Sequence, residues 1–247
     1  MADSDRRNEG MRMACLVFES GRRPGLAAIK ACSAGTGAFT VSHADDAASG
    51  WIEVLRDGLT FDLVGLSPGG PADLPSMPHR FNLPATTPDP PGEAVIIALG
   101  PHLAGSERLM PVIRTVAGLA AALSGLDGIR AVGWLPSKSL SSANWFESAI
   151  TAWLDGGPFP SLALAAFYRN RIGNLCSTGL SFAGGQDFEL ASADPDLAAD
   201  DGRLAMRLAD WLVANGPAEA AKTIEFPGCG ALRVEPGPGG LLSASRV

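Results

Sequence analysis

Long apolar runs and clusters of positive charge are both missing from this sequence. Its longest weakly polar stretch, residues 116–126, is much shorter than the ~20 residues of a helix that spans a membrane. Lys and Arg number 19 against 26 Asp and Glu, which gives a formal net charge of −7, and the local basic clusters are limited to Arg6-Arg7 and Arg22-Arg23. Nucleic acids and anionic membrane surfaces are bound by clustered Lys and Arg, so we expect neither as a partner.

Cysteine and histidine are also scarce. The four cysteines form no C-x-x-C pair and no zinc-binding spacing, so we expect free thiols and no metal centre. The polar N-terminus is followed by an apolar run, residues 13–18, that is too short for a secretion signal. These features predict a cytoplasmic protein that holds no metal or other cofactor.

Two serine motifs resemble the nucleophile elbow of hydrolases, but both lack an essential part of it. Residues 65–69 read G-x-S-x-G, and the oxyanion hole of that elbow uses the backbone N–H of the residue after the serine. That residue is Pro68, which has no N–H. The looser motif around Ser181 fails because the histidine follows the serine in that fold, whereas all three histidines here precede Ser181. We expect neither serine to be a nucleophile.

The clearest structural signal is the stretch from residue 94 to residue 134. It predicts a buried strand over 94–99, a helix, and a second strand over 129–134. Pro111 indicates that the helix begins near Met110, because proline is tolerated in the first turn but breaks a hydrogen bond in the second. The helix is expected to end near Leu123. Its surface is almost wholly apolar, so it is either buried on most sides or lies at a subunit contact.

Elements on either side of this stretch complete the predicted fold. Asp57-Gly58 predicts a tight hairpin, and Asp194-Pro195 opens a helix with Leu204, Leu208 and Leu212 on one face. Further strands are predicted over residues 12–18, 38–42, 51–55, 59–66, 162–168, 175–182, 187–191, 223–226 and 231–235. Together they predict an α+β protein with mixed, largely antiparallel sheets and helices packed on one face, arranged as one core or as two associated α/β halves.

The predicted division of the chain follows its Pro- and Gly-rich stretches. Residues 67–92 hold no periodic pattern and are expected to be a linker or a long loop. They separate an N-terminal half, 12–66, from a C-terminal half, 93–236. Residues 1–11 are expected to be a disordered leader and residues 237–247 a flexible tail.

His102 marks the best candidate for a functional site. It follows Gly100-Pro101 at the carboxyl end of the buried strand, where ligand crevices form in open α/β sheets. Ser106, Glu107 and Ser137 are expected to be its neighbours, and His102, Glu107 and Ser137 are the candidate catalytic residues. The competing interpretation of His102 is a solvated side chain at a strand exit. A second group, His43 with Asp45 and Asp46, offers metal-ligand chemistry but is better explained as a solvated acidic turn.

The stretch Thr178-Gly179-Leu180, followed by Gln-Asp-Phe-Glu-Leu at 186–190, resembles a bacterial family of domains of unknown function, the one numbered 4261. The family has a similar order of a T-x-G-L-like strand, a short strand that ends at an acidic position, and a helix. The strand over 131–134 and the Ser-rich turn after it are also similar. The resemblance covers about residues 94–235. It implies a soluble bacterial α+β domain and supplies no catalytic residue.

Two main functions remain open from the sequence, beside a third, an acidic neutralising partner for a basic protein, which rests on the net charge of −7 alone. The first is a non-enzymatic binding or protein-interaction protein, because no set of polar residues converges in the sequence and the apolar central helix suits self-association or a protein partner. The alternative is an enzyme with a non-standard site at the strand end marked by His102.

Overall fold

The computed structural model describes residues 10–45, 47–88, 91–192 and 198–247. The chain divides into two compact units, Met1–Gly157 and Pro158–Val247. Over the described residues it forms five α-helices and fourteen strands in two mixed, mostly antiparallel sheets. The predicted α+β class is therefore confirmed. Within these described ranges, no helix is both long enough and apolar enough to cross a membrane.

The first unit is built on an eight-stranded sheet. Its strand order is β2-β3-β4-β6-β1-β7-β8-β5, and every pair is antiparallel except β5 with β8. Asp57 and Gly58 both have positive φ and form the predicted hairpin between β3 and β4. The elements of this unit are β1 Arg12–Phe18, α1 Leu26–Thr36, β2 Thr40–Ala44, β3 Trp51–Arg56, β4 Leu59–Val64, β5 His79–Phe81, β6 Glu93–Leu99, α2 Met110–Leu123, β7 Ile129–Trp134, β8 Ser139–Ser142 and α3 Ala143–Leu154.

The second unit has a six-stranded sheet with one long helix packed against it. The strand order is β12-β13-β14-β11-β10-β9, and β11 with β14 is the parallel pair. Its elements are α4 Ser161–Leu164, β9 Ala166–Arg169, β10 Leu175–Thr178, β11 Phe188–Leu190, α5 Ala198–Asn215, β12 Lys222–Phe226, β13 Gly230–Pro236 and β14 Leu242–Arg246.

Helix α2 is the buried helix that the sequence predicted, with the same first and last residues. It packs against α3 and against β1 and β4. Ten of its fourteen residues are buried. Gly118 has no side chain, which leaves room on the helix for Arg56 of β3. The Arg56 guanidinium donates to the Gly118 carbonyl oxygen at 2.9 Å. The apolar surface of α2 is thus covered within its own unit, which agrees with the first of the two predicted alternatives.

The Pro- and Gly-rich segment covers the face of the first sheet that the helices leave open. Met77 from this segment is buried in a cluster with Cys15 and Leu140. Burial under this cover raises the pKa of the Cys15 thiol to about 12. The segment also contributes β5, which pairs in parallel with β8. Within the described part of this segment, Met77 and β5 are therefore part of the packing of the unit.

The division between the units differs from the predicted one. The sequence predicted a boundary at residues 67–92 between halves 12–66 and 93–236, whereas the structure divides the chain at Gly157. The reason is strand order: β4 neighbours β6, and β6 neighbours β1, so strands from both predicted halves alternate in one sheet.

Residues 237–247 also differ from the prediction of a flexible tail. They contain β14, which lies between β13 and β11 in the middle of the second sheet. Leu242 is fully buried and Ala244 is 1% exposed. The alternation of Leu242, Ala244 and Arg246 with serines fits a strand with one buried face, but its small side chains carry too weak a hydrophobic signal to stand out in the sequence.

Two further local predictions change in the structure. Residues 162–168 divide into α4 and β9, and residues 175–182 divide into β10 and a 3₁₀ turn, Leu180–Ala183. The predicted helix start at Asp194-Pro195 lies outside the described residues, while Leu204, Leu208 and Leu212 are buried on one face of α5 as expected.

Candidate functional site

The carboxyl ends of β6 and β7 lie at the same edge of the first sheet. Strand β1 pairs antiparallel with both: Arg12 faces Ala98 of β6, and Ala14 faces Trp134 of β7. The loop after β6, residues 100–109, therefore lies beside the start of β1. This is the sheet edge at which the sequence predicted a ligand crevice.

A cavity of about 400 Å³ lies between the start of β1 and this loop. Among the residues that the structure describes, its lining combines backbone and apolar side chains with a single charged side chain. The lining residues are Gly10, Met11, Leu99, Gly100, Pro101, Ala104, Gly105 and Glu107. A Cβ at Gly10 would overlap the Leu99 carbonyl oxygen, so a residue without a side chain is required for the chain to pass this close.

Glu107 supplies the charge, and one of its oxygens lacks a hydrogen bond. Its Oε2 is buried, and none of the residues that the structure describes donates to it. A carboxylate oxygen is an acceptor only, and leaving a buried acceptor unpaired costs about 1–3 kcal/mol, or more when the group is charged. The residue as a whole is half-buried at the cavity wall.

His102 lies close to the cavity but outside its lining. It is exposed on a short 3₁₀ turn, Pro101–Leu103, and its Nδ1 lies 3.2 Å from Thr60 Oγ1. Gly100 makes this pairing possible, because a Cβ there would lie 2.6 Å from Thr60 Oγ1 and 3.0 Å from His102 Cε1. The imidazole thus already contacts a hydroxyl at the cavity rim.

The two predicted serine neighbours take structural positions. Ser137 is fully buried after β7, with its Oγ 2.7 Å from Ser139 Oγ and 3.3 Å from the Trp134 carbonyl oxygen to which it donates. Ser137 is not among the lining residues, so its predicted place in the crevice is corrected. Its hydroxyl instead makes hydrogen bonds to Trp134 and Ser139, within the segment where β7 ends. Ser106 is half-buried in the loop, where its backbone N–H donates to the Leu103 carbonyl.

The second candidate group from the sequence, His43 with Asp45 and Asp46, forms one side-chain pair among the described residues. His43 Nε2 lies 3.2 Å from Asp45 Oδ1, and Asp46 lies outside the described residues. Among the residues with described positions, no group of three or more His, Cys, Asp or Glu side chains is placed to hold a metal ion. All four cysteines are free thiols, as the sequence predicted.

The residues that carry the family resemblance make structural hydrogen bonds in the second unit. Asp187 accepts from the hydroxyls of Ser177 and Ser181 and from the backbone N–H of Leu180, and so fixes the 3₁₀ turn after β10. Gly179 has φ +92, a left-handed conformation that favours glycine. Glu189 in β11 accepts from Asn170 and Asn174. This motif therefore specifies a turn and a strand pairing.

Comparison of the chain with models of protein families, with curated proteins and with solved structures gives no match in any of the three. The resemblance of residues 94–235 to family 4261 stays a prediction, and function has to be inferred from the geometry of the chain itself.

Proposed function

We propose that this protein is a non-enzymatic binding protein whose small ligand occupies the cavity between the start of β1 and the loop after β6. The observation that carries the proposal is the cavity itself, about 400 Å³ at the sheet edge, with Glu107 among its described lining residues.

The dimensions and lining of the cavity support a small molecule. Ligand sites in proteins have volumes of about 300–1,000 Å³ and combine apolar walls with a few polar groups that set orientation. This cavity has about 400 Å³, with Met11, Leu99 and Pro101 as apolar wall and Glu107 as the polar group. A ligand with one polar end and a short apolar body fits this arrangement.

Binding fits the lining better than catalysis does. A nucleophile or general base is normally oriented by a second group within hydrogen-bond reach, and Glu107 is the one titratable residue among the described residues that line the cavity. Ser137, a candidate catalytic residue from the sequence, is buried in contact with Ser139. The apolar surface of α2, on which the prediction of self-association rests, is covered within the first unit. We also propose a cytoplasmic location, which the free thiols support.

Filling the cavity tests the proposal. In Ala104→Phe the added ring occupies the space beside Glu107, so ligands that stabilise the wild type should not stabilise this variant. A ligand present at a hundred times its Kd adds about 2.7 kcal/mol to the free energy of unfolding, which a thermal-shift screen of small metabolites detects. Ala152→Phe, on the exposed face of α3, is the matched control and should respond like the wild type. Equal stabilisation of the wild type and Ala104→Phe, or no stabilising compound for the wild type, would overturn the proposal.

An enzyme is the second candidate, and the position of His102 at the cavity rim favours it. In that case His102 would act as the base and Glu107 would hold the substrate. His102→Ala distinguishes the two functions, because binding alone leaves the ligand affinity unchanged within about twofold, whereas catalysis loses turnover by 10²–10⁴-fold. Conversion of a bound compound by the wild type, lost in His102→Ala, would establish the enzyme and refute the binding protein.

A further inference from the structure

We infer that the second unit binds a free α-amino acid with an aromatic side chain, in a cavity of about 440 Å³ between the C-terminal half of α5 and the end of β12. In this arrangement the Asp210 carboxylate accepts from the ammonium group, the Arg207 guanidinium donates to the carboxylate, and the side chain lies against Trp211 and Phe226. Other residues line the cavity beside Glu107, so the inference goes beyond the proposed function.

Two elements of the second unit form the walls of this cavity. Arg207, Asp210, Trp211 and Ala214 come from α5, and residues three or four positions apart lie on the same face of a helix. The opposite wall is the end of β12 and the start of the turn after it, residues 225–227. The volume falls within the range of about 300–1,000 Å³ that small-molecule sites occupy.

Arg207 and Asp210 place opposite charges one helical turn apart on the α5 wall. Arg207 is exposed, whereas Asp210 is half-buried and accepts a long hydrogen bond, 3.5 Å, from Ser161 Oγ at its Oδ1. Burial raises the pKa of the Asp210 carboxyl above its ordinary value, although the charge of Arg207 and the Ser161 hydroxyl act in the opposite direction. A cation that donates hydrogen bonds to this carboxylate would therefore stabilise its charged form.

An α-amino acid carries an ammonium and a carboxylate on the same carbon, so it can engage Asp210 and Arg207 together. The ammonium group brings three donors, and a guanidinium can donate two parallel hydrogen bonds to a carboxylate. A simple amine would leave Arg207 without a counterpart, and a simple carboxylate would be repelled by Asp210. The two charges on one helix face therefore select a zwitterion.

The rest of the lining selects the side chain of the amino acid. Trp211 and Phe226 contribute aromatic rings, and Lys222 Nζ lies 4.0 Å from the centroid of the Trp211 ring. Aromatic rings attract one another beyond the effect of buried area alone. Glu225, exposed on the opposite wall, disfavours an acidic side chain. An aromatic amino acid such as phenylalanine meets each of these conditions.

Three probes with the same phenyl group separate the two charged contacts: L-phenylalanine, phenethylammonium, which lacks the carboxylate, and 3-phenylpropionate, which lacks the ammonium. Calorimetric titration of the full-length wild type should give L-phenylalanine a Kd about fivefold below that of phenethylammonium, because the exposed Arg207 is screened by water. The Kd should be about tenfold below that of 3-phenylpropionate, because Asp210 is half-buried.

Two substitutions on α5 should change these affinities in opposite patterns. Asp210→Asn should weaken L-phenylalanine and phenethylammonium by about tenfold and should not weaken 3-phenylpropionate. Arg207→Gln should weaken L-phenylalanine and 3-phenylpropionate by about fivefold and should not weaken phenethylammonium. Arg203→Gln is the matched control, because Arg203 is exposed on the same helix and pairs with Asp200, and it should bind all three probes as the wild type does.

Thermal unfolding shows first that each variant is folded, and the exposed position of Arg207 keeps the test valid if Asp210→Asn does not fold. The inference is overturned if L-phenylalanine does not bind the wild type, if the three probes bind equally, or if folded Arg207→Gln binds L-phenylalanine as the wild type does. None of these results bears on the cavity beside Glu107, which the Ala104→Phe screen decides separately.

Discussion

A chain that ends at Pro236 should lose the fold of its second unit. The deletion removes β14, which pairs with β13 on one side and β11 on the other. It also removes the buried side chains of Leu242 and Ala244 and leaves the facing surface of α5 without its cover. Domains are stable by only about 5–15 kcal/mol in total, so the loss of a central strand exceeds what the unit can tolerate.

The experiment compares chains 1–236 and 1–246 by limited proteolysis and tryptophan fluorescence. Trp211 is the one tryptophan in residues 158–247, and it lies half-buried on α5 with Lys222 4.0 Å above its ring. We expect protease cleavage throughout residues 158–236 in the shorter chain and protection in the longer one, which lacks only the exposed Val247. Equal protection of the two chains would show that β14 is dispensable and would contradict the observed strand order.

The substitution Asp201→Asn should destabilise the second unit by about 3 kcal/mol at pH 7. Asp201 is in the first turns of α5, and its side chain is only 2% exposed. It accepts from Arg246 at 2.9 Å and from the Ser192 hydroxyl, and the Arg169 guanidinium lies 3.5 Å away. Asparagine leaves both guanidinium groups without a carboxylate. Because those groups are about one-third exposed, we place the cost at the lower end of the range for a broken buried ion pair.

The pH dependence of this contribution has a definite sign. Burial alone would raise the pKa of Asp201, but the hydrogen bonds from Ser192 and Arg246 outweigh burial and lower the pKa below its usual value of 3.8. The folded state therefore binds this proton less readily than the unfolded state does. The stabilisation is present above the unfolded pKa and is lost as the pH falls through the lower, folded value.

Urea unfolding followed by Trp211 fluorescence checks both statements. The wild type should exceed Asp201→Asn in stability at pH 7, and the difference should shrink below about pH 4. Asp200→Asn is the matched control, because Asp200 is in the same helical turn but is exposed and pairs with Arg203 on the surface. If Asp200→Asn lowers the free energy of unfolding as much as Asp201→Asn does, the buried hydrogen bonds of Asp201 are not what holds α5 to the sheet.

Elements with a strong local signal could be predicted from the sequence. Pro111 fixed the start of α2, the Asp57-Gly58 pair fixed a hairpin, and the spacing of Leu204, Leu208 and Leu212 fixed the buried face of α5. Each of these depends on backbone geometry or on periodicity within one element, which neighbouring residues alone determine.

Elements whose position depends on distant partners could not be predicted. β14 has small side chains and becomes a central strand only because β11 and β13 leave a place between them. Residues 67–92 carry no periodicity, and the burial of Met77 among them follows from one sheet face that the helices do not cover. At the site, Glu107 was foreseen beside the strand end, whereas Gly10 and Met11 could not be, because the pairing of β1 with β6 joins residues 75 to 86 positions apart.

Amide chemical-shift mapping tests the central claim most directly, namely that the cavity beside Glu107 binds a small ligand. We would titrate isotope-labelled wild type and Ala104→Phe with a compound that stabilises the wild type in the thermal-shift screen. The account predicts saturable shifts at Gly10, Leu99, Gly105 and Glu107 in the wild type, and no such shifts in Ala104→Phe. Shifts confined to other parts of the chain, or identical shifts in the filled variant, would contradict it.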